Sequence, residues 1–260
     1  MTDLNATLLS TSSSPAVRRI APDRPWLWLE LGFRDMSAAW SVSLGYGAVV
    51  TGVSWLLALG LTGTGLFHLL LPMCAGFMLV APLAAVGLYE SSRRLSRGEP
   101  VSLGAIAHAM RAKAIPLAYM GVVLLLFMLF WIRIATLLYA LFFSDLNPNF
   151  DNLVGIVFNS SVSLPFLITG TVLGGVLASV VFAISAISIP MLMDRDVSVT
   201  TAISTSVTAV QANLKPMALW AFLIAFSAAV GMMTLFLGLI VALPLIGHAT
   251  WHAYRDLVAD

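Results

Sequence analysis

The fold class is decided by residues 36–89, MSAAWSVSLGYGAVVTGVSWLLALGLTGTGLFHLLLPMCAGFMLVAPLAAVGLY, a run of 54 residues without Asp, Glu, Lys or Arg. A helix needs about 20 apolar residues to cross the hydrocarbon core of a bilayer. This run is therefore long enough for two membrane-spanning helices. The uncharged stretch Thr62 to Gly65 is typical of the turn between them.

Three further runs, residues 114–132, 152–193 and 216–254, also lack charged residues. Over the whole chain of 260 residues, 60% are hydrophobic and 10% are charged, whereas a soluble domain carries about 25% charged residues. This composition predicts an integral membrane protein. It excludes a soluble enzyme, a nucleic-acid binder and a secreted disulfide scaffold, and the single cysteine, Cys74, excludes a cysteine-based metal cluster.

The predicted fold class is an all-α polytopic membrane helix bundle. Residues 1–24, rich in Ser and Thr, are predicted to be a disordered cytoplasmic tail, and residues 25–260 a single membrane domain. Short amphipathic helices are expected at the bilayer interface, the first with Trp26 and Phe33 on its apolar face. Six transmembrane spans are predicted, at residues 41–61, 66–89, 115–143, 162–191, 216–234 and 237–255.

The basic residues predict the orientation of these spans. With the amino terminus in the cytoplasm, twelve of the thirteen Lys and Arg residues fall on the cytoplasmic side. The loops on the other side, Thr62 to Gly65 and residues 144–161, contain no basic residue, as the positive-inside rule requires. Five spans would leave Arg255 on the side opposite the cytoplasm, so the positive-inside rule favours six spans and a cytoplasmic carboxyl terminus.

A weak internal repeat relates three parts of the chain. The segment starting at Val101 and Ser102 resembles the segment starting at Val197 and Ser198, and each is followed by a proline. With the first amphipathic helix, this pattern favours three parallel units, each consisting of an amphipathic helix and a two-span hairpin. The alternative is that any proline-bearing membrane helix with a basic flank would match equally well.

The opening Gly32-Phe33-Arg34-Asp35, the hydrophobic spans and the closing segment of residues 243–255, LPLIGHATWHAYR, resemble the DUF2189 family of proteobacterial integral membrane proteins. The resemblance extends from Pro25 to Val258, and the closing segment is its most specific part. It implies a helical protein of the bacterial inner (plasma) membrane and no particular reaction. Some relatives resemble cytochrome oxidase subunit I, but a haem-copper core needs six histidine ligands and this chain has four histidines.

Two features are candidates for chemistry. His248 and His252 are spaced i, i+4 on one helix face, a geometry that suits two metal or haem ligands, and Asp256 continues that face. The alternative, which we favour because two ligands leave a metal site incomplete, is that they are interfacial anchors beside Trp251 and Tyr254. We therefore predict no catalytic residue, no cofactor and no metal site, with the two histidines as weak metal candidates.

Arg133 is the only charged residue in the interior of a predicted span, since Arg255 is the last residue of the sixth span. A buried arginine is costly in a bilayer, so it should face protein or water, or extend towards the interface. Its natural partners are Asp145 and Asp151 in the acidic loop of residues 144–161. The alternative is a functional role as an anion site for a substrate.

The absence of acidic residues within the spans favours a non-enzymatic accessory, scaffold or assembly subunit of a membrane complex. The alternative is a small-solute transporter or channel, which proline-broken spans and repeats would suit. The expected partners are the lipid bilayer and another membrane protein, and nucleic acid is not expected.

Overall fold

A computed structural model describes residues 15–66, 69–143 and 162–259, which form helices joined by short turns. The helices in these ranges are α1 Arg24–Ala38, α2 Trp40–Gly63, α3 Leu70–Ala84, α4 Val86–Ser96, α5 Leu103–Ala112, α6 Ala114–Phe142, α7 Ser163–Ser185, α8 Ser188–Asp194, α9 Val199–Ala212, α10 Leu214–Met233 and α11 Leu239–Leu257. The predicted all-helical fold is confirmed for the described residues.

Five helical segments of the described ranges are long and apolar enough to cross a bilayer: Trp40–Gly63, Leu70–Ser96, Ala114–Phe142, Ser163–Asp194 and Leu214–Met233. The segment predicted as the sixth span, residues 237–255, folds as most of α11 but is not among them. Polar residues from His248 onwards lower the hydropathy of its second half. The count of six spans is therefore not confirmed.

A short helix precedes three of the long helices, with a break of one residue at Ala39, Lys113 and Asn213. Two of these short helices begin with a capping serine. The Ser102 hydroxyl accepts a hydrogen bond from the N–H of Ala105 at 3.3 Å, and the Ser198 hydroxyl accepts one from the N–H of Thr201 at 3.0 Å. Each cap satisfies a donor that the first turn of a helix leaves free.

Packing is concentrated at one end of the bundle. Every residue is buried in three segments that contact one another, residues 86–92 of α4, 188–193 of α8 and 247–251 of α11. We call these three segments the buried layer. Elsewhere the long helices are sparsely covered by protein, since only 17% of the most apolar stretch of α2 is buried. Lipid can cover such apolar surface in a membrane.

The two ends of the described chain meet beside the buried layer. The backbone N–H of Arg18 donates to the carbonyl of Leu257 at 2.8 Å, and that of Ala259 donates to the carbonyl of Ala16 at 2.9 Å. The prediction of a disordered tail is therefore wrong for residues 15–24, whose backbone finds partners in the carboxyl terminus and which end at the start of α1. Residues 1–14 lie outside the described residues.

Asn213, buried in the break between α9 and α10, also holds this segment. Its side-chain oxygen accepts a hydrogen bond from the N–H of Ile20 at 2.9 Å, and its amide nitrogen donates to the carbonyl of Arg18 at 2.9 Å. One side chain thus satisfies two backbone groups of the amino-terminal segment.

Replacing Asn213 with Ala should release the amino-terminal segment. We expect trypsin to cleave after Arg18 or Arg19 about tenfold faster in Asn213→Ala, because the loss of hydrogen bonds at a buried site costs on the order of 1–3 kcal/mol. The matched control is Gln211→Ala, which changes an exposed side chain two residues away. Equal cleavage rates in both variants and the wild type would contradict this role of Asn213.

Candidate functional site

A histidine side chain lies at the centre of the buried layer. His248 of α11 is fully buried, and both of its ring nitrogens have hydrogen-bond partners. Nδ1 lies 2.8 Å from the Ser92 hydroxyl of α4, and Nε2 lies 2.9 Å from the Ser43 hydroxyl of α2. The imidazole therefore connects three helices.

The hydrogen bonds continue from Ser92 to α1. The Ser92 hydroxyl donates to Oδ2 of Asp35 at 2.6 Å, and Nε2 of His252 lies 2.8 Å from the same oxygen. We call Asp35, Ser43, Ser92, His248 and His252 the polar cluster. Its five side chains come from α1, α2, α4 and α11, so it joins four helices.

Donor counting assigns the protons of the polar cluster. The single hydroxyl hydrogen of Ser92 is used on Asp35, so Ser92 accepts from the protonated Nδ1 of His248. In a neutral imidazole with its proton on Nδ1, Nε2 of His248 is the acceptor for the Ser43 hydroxyl. Each of these polar atoms is paired within the polar cluster, as buried polar groups require.

Asp35 is the charged member of the polar cluster. Burial raises the pKa of this carboxyl, but the hydrogen bonds from His252 and Ser92 and the electrostatic effect of the two histidines together outweigh burial and hold its pKa below the ordinary value of 3.8. Asp35 is therefore a carboxylate at neutral pH. It accepts hydrogen bonds and is not poised to donate a proton.

Glycines bring the helices close enough for these bonds. A Cβ atom at position 32 of α1 would lie 2.7 Å from the backbone nitrogen of Ala249, and one at position 247 of α11 would lie 2.5 Å from the Leu88 side chain. A larger residue at either position would push α11 away from α1 or α4. The close approach that Gly32 and Gly247 permit is what places Asp35 and Ser92 within reach of the histidines.

A second polar contact joins α1 to the end of α11. The guanidinium of Arg24 donates to both carboxylate oxygens of Asp256, at 2.7 and 2.8 Å, and the indole N–H of Trp28 donates to Oδ2 at 2.9 Å. The hydrogen bond to Asp256 raises the pKa of Arg24, although burial opposes this. The suggestion that Asp256 completes a metal site with the histidines is therefore wrong.

A third contact holds the end of α8. Asp194 accepts hydrogen bonds from the Tyr254 hydroxyl at 2.9 Å, from Arg97 at 3.2 Å and from Arg255 at 3.4 Å. Basic residues that the positive-inside rule assigns to the cytoplasmic side thus pair with a carboxylate at the buried layer. Asp194 connects α8, the end of α4 and α11.

The prediction that His248 is an interfacial anchor beside Trp251 and Tyr254 is wrong. These three side chains are 0–2% exposed, because α11 is enclosed by other helices and does not reach the lipid interface with this face. The prediction of no metal site, with His248 and His252 as weak candidates, stays a prediction. No three His, Cys, Asp or Glu side chains among the described residues form a group that could hold a metal ion.

Arg133 lies on the exposed face of α6, away from the buried residues Trp131 and Ala135. Its predicted partners, Asp145 and Asp151, lie outside the described residues. Arg133 and the polar cluster are on different parts of the molecule, so the structure does not combine the predicted candidates into one site.

Two apolar cavities lie between the long helices. One of about 430 Å³ lies among α3, α7, α10 and α11, and its lining includes Phe182 and Ala221. The other, of about 560 Å³, lies among α3, α6 and α7, and its lining includes Trp131 and Gly170. Neither cavity is lined by a charged side chain of the described residues.

Sequence reasoning identified the two histidines by their i, i+4 spacing but missed Asp35, Ser43 and Ser92 as their partners. The three partners are 57 or fewer residues apart, whereas His248 lies 156 residues from Ser92 and 205 from Ser43. The sequence carries such a signal for Ser43 alone, since a serine within a predicted span must find a hydrogen-bond partner in an apolar setting.

Comparison with known protein families gives one match. Residues 70–194 match the family model DUF2189, described as a predicted integral membrane protein. The predicted resemblance to this family is confirmed over that range, which runs from the start of α3 to the end of α8. The segments that suggested the resemblance, residues 32–35 and 243–255, lie outside it. Searches of the curated proteins and of the solved structures found no match.

Removing the central imidazole should destabilise the fold. His248→Ala leaves the Ser43 hydroxyl without its partner and Ser92 with its bond to Asp35 alone. Because an unpaired buried polar group costs on the order of 1–3 kcal/mol, we expect the Tm in detergent to fall by about 5 °C or more. The control is His108→Ala, which removes an exposed imidazole of α5. An unchanged Tm in His248→Ala would contradict a structural role for the polar cluster.

The charge of Asp35 should make part of the stability pH-dependent. Because its pKa is lower in the folded protein, its contribution is present above pH 3.8, the ordinary value, and is lost as the pH falls through the folded pKa. Asp35→Asn keeps the acceptor oxygen but not this titration. We therefore expect the difference in Tm between wild type and Asp35→Asn to shrink below about pH 4, and a difference that is constant from pH 7 to pH 3 would contradict the assignment.

Proposed function

We propose that this integral membrane protein is a non-enzymatic accessory, scaffold or assembly subunit of a membrane complex in the bacterial inner membrane. The observation that carries the proposal is the half of α2 beyond Thr51, an apolar helix segment in which no residue is buried by the described ranges. We propose that this segment contacts a transmembrane helix of the partner protein.

The burial of α2 changes at its midpoint. Its buried residues are Ser43, Gly47 and Thr51, all in the first half. From residue 52 to residue 63 no residue is buried, and Leu56 is 71% exposed. A helix segment without a buried residue offers contact surface on several sides.

The exposed face of α2 also has the residue pattern of membrane helix contacts. Ser41, Gly45, Ala48 and Gly52 share one exposed face, with two pairs spaced i, i+4. A Cβ atom at position 45 or 52 would meet no atom of the described residues within 4 Å. Small residues at this spacing let two helices approach closely in lipid, where the hydrophobic effect does not drive their association.

The polar side chains support an accessory role over transport. The polar cluster is buried and its members bond to one another, and the two cavities between the long helices are apolar. A transporter coupled to protons or sodium would be expected to line its pathway with polar or ionisable groups. A solute flux in reconstituted vesicles would favour the alternative of a small transporter or channel.

We also propose that the chain consists of three parallel units with both termini in the cytoplasm. In each unit a short helix, α1, α5 or α9, ends one residue before a long apolar helix. Exposed apolar side chains such as Phe33 and Leu103 on these short helices suit the bilayer interface. The contact between the amino-terminal and carboxyl-terminal segments supports a common side for both termini.

The partner surface can be tested by enlarging one glycine of α2. Gly52→Leu should fill the small-residue face without disturbing the fold, since an added Cβ there meets no atom of the described part of the chain within 4 Å. We expect a protein that copurifies stoichiometrically with the wild type from native membranes in mild detergent to be recovered at least about tenfold less with Gly52→Leu.

The matched control is Gly175→Leu on α7, another exposed glycine with nothing within 4 Å of the added Cβ. This variant should retain the partner. Equal recovery with both variants would place the partner elsewhere and contradict the role of α2. The absence of any stoichiometric partner, together with solute flux in vesicles, would contradict the accessory function itself.

A further inference from the structure

The turn between α10 and α11 lies level with the middle of α2. The Thr51 hydroxyl, halfway along α2, donates to the carbonyl of Phe236 in this turn at 3.1 Å. Closer to the start of α2, Gly47 lies against the backbone of Ile240 and Ser43 bonds to His248. The two helices are therefore antiparallel, and α2 extends 12 residues, about 18 Å, beyond the turn.

The turn between α10 and α11 exposes mainly apolar side chains. Residues 232–239 read MMTLFLGL, and Met233, Leu235 and Leu237 are 84%, 65% and 56% exposed. A turn in water at a membrane surface is ordinarily polar and rich in Gly, Pro, Asn or Asp. Exposed leucines at this level suit contact with lipid chains.

Most backbone N–H groups of the turn have hydrogen-bond partners within the protein. The N–H groups of Thr234, Phe236, Leu237, Leu239 and Ile240 donate to carbonyls within the turn and α10, and the N–H of Gly238 donates to the Thr234 hydroxyl at 2.8 Å. A polar backbone group without a partner costs several kcal/mol in lipid. These bonds, and the one from Thr51, make the turn tolerable at membrane depth.

The apolar part of the return helix α11, before the polar cluster, is too short to cross the bilayer. From Leu239 to Gly247, before the polar cluster begins, α11 has nine residues, which span about 14 Å of a hydrocarbon core of about 30 Å. The first part of α10 lies beside the buried layer as well, since the rings of Trp220 and Trp28 are 5.5 Å apart. From Trp220 to Met233, α10 rises about 20 Å. Measured from the buried layer, neither arm therefore spans the hydrocarbon core of about 30 Å, although α10 as a whole is long enough to cross it.

We infer that α10 and α11 form a re-entrant hairpin, which enters the membrane from the side of the buried layer, turns within the hydrocarbon at Thr234–Gly238 and returns to the same side. The chain then crosses the membrane four times, with the segments containing α2, α3, α6 and α7, in place of the six crossings predicted from hydropathy. An even number of crossings agrees with the contact between its two terminal segments. The inference does not depend on the proposed accessory function.

The depth of the turn can be measured by cysteine labelling. In a Cys74→Ser background, single cysteines are introduced as Leu235→Cys in the turn, Thr64→Cys after α2 and Ser96→Cys at the end of α4. Right-side-out and inverted membrane vesicles are treated with a membrane-impermeant maleimide. A thiol in hydrocarbon reacts slowly because it does not ionise to the reactive thiolate.

We expect Thr64→Cys and Ser96→Cys to be labelled from opposite sides, and Leu235→Cys to be labelled at least tenfold more slowly than either one from both sides. Leu237→Cys repeats the measurement at a second exposed position, so that one variant that fails to insert does not decide the outcome. Rapid labelling of the turn from the side of Thr64→Cys would show a full crossing and overturn the inference. Rapid labelling from the side of Ser96→Cys would show that the hairpin stays outside the membrane and would also overturn it.

Discussion

The fold depends on the burial of one imidazole ring. His248 is excluded from water and from lipid, so both of its nitrogens need partners inside the protein. Ser43 and Ser92 provide them from α2 and α4, and Ser92 extends the bonding to Asp35 of α1. Four helices must therefore adopt fixed relative positions at this level, and the buried layer forms around that requirement.

This constraint explains why the two ends of the bundle differ. At the buried layer, hydrogen bonds, ion pairs and close glycine contacts determine the arrangement of the helices. Away from it the helices present apolar surface, which lipid or another membrane protein can cover at little cost. The exposure of α2 beyond Thr51 and the position of the turn within the hydrocarbon have one cause. We infer that α11 leaves the membrane at the polar cluster, so the hairpin is too short to cover the rest of α2.

The membrane class and most helices were predictable because hydropathy over 20 residues reports directly on the solvent of a segment. The sixth predicted span is not confirmed, because a helix such as α11 that is shielded by protein need not be apolar throughout. The tail of residues 15–24 was misread for a related reason. Its polar composition is typical of disorder, but Asn213 and the carboxyl terminus satisfy its backbone. Of the polar cluster, the spacing of His248 and His252 was visible, whereas contacts between distant parts of the chain leave no local signal.

The most direct test of this account is a double-mutant cycle between Ser43 and His248, measured as the free energy of unfolding in detergent. If the imidazole and the hydroxyl stabilise each other across α2 and α11, the effects of Ser43→Ala and His248→Ala should fall short of additivity by about 1 kcal/mol or more. Effects that add within about 0.5 kcal/mol would show that the two side chains act independently. The polar cluster would then not be what fixes the positions of the helices.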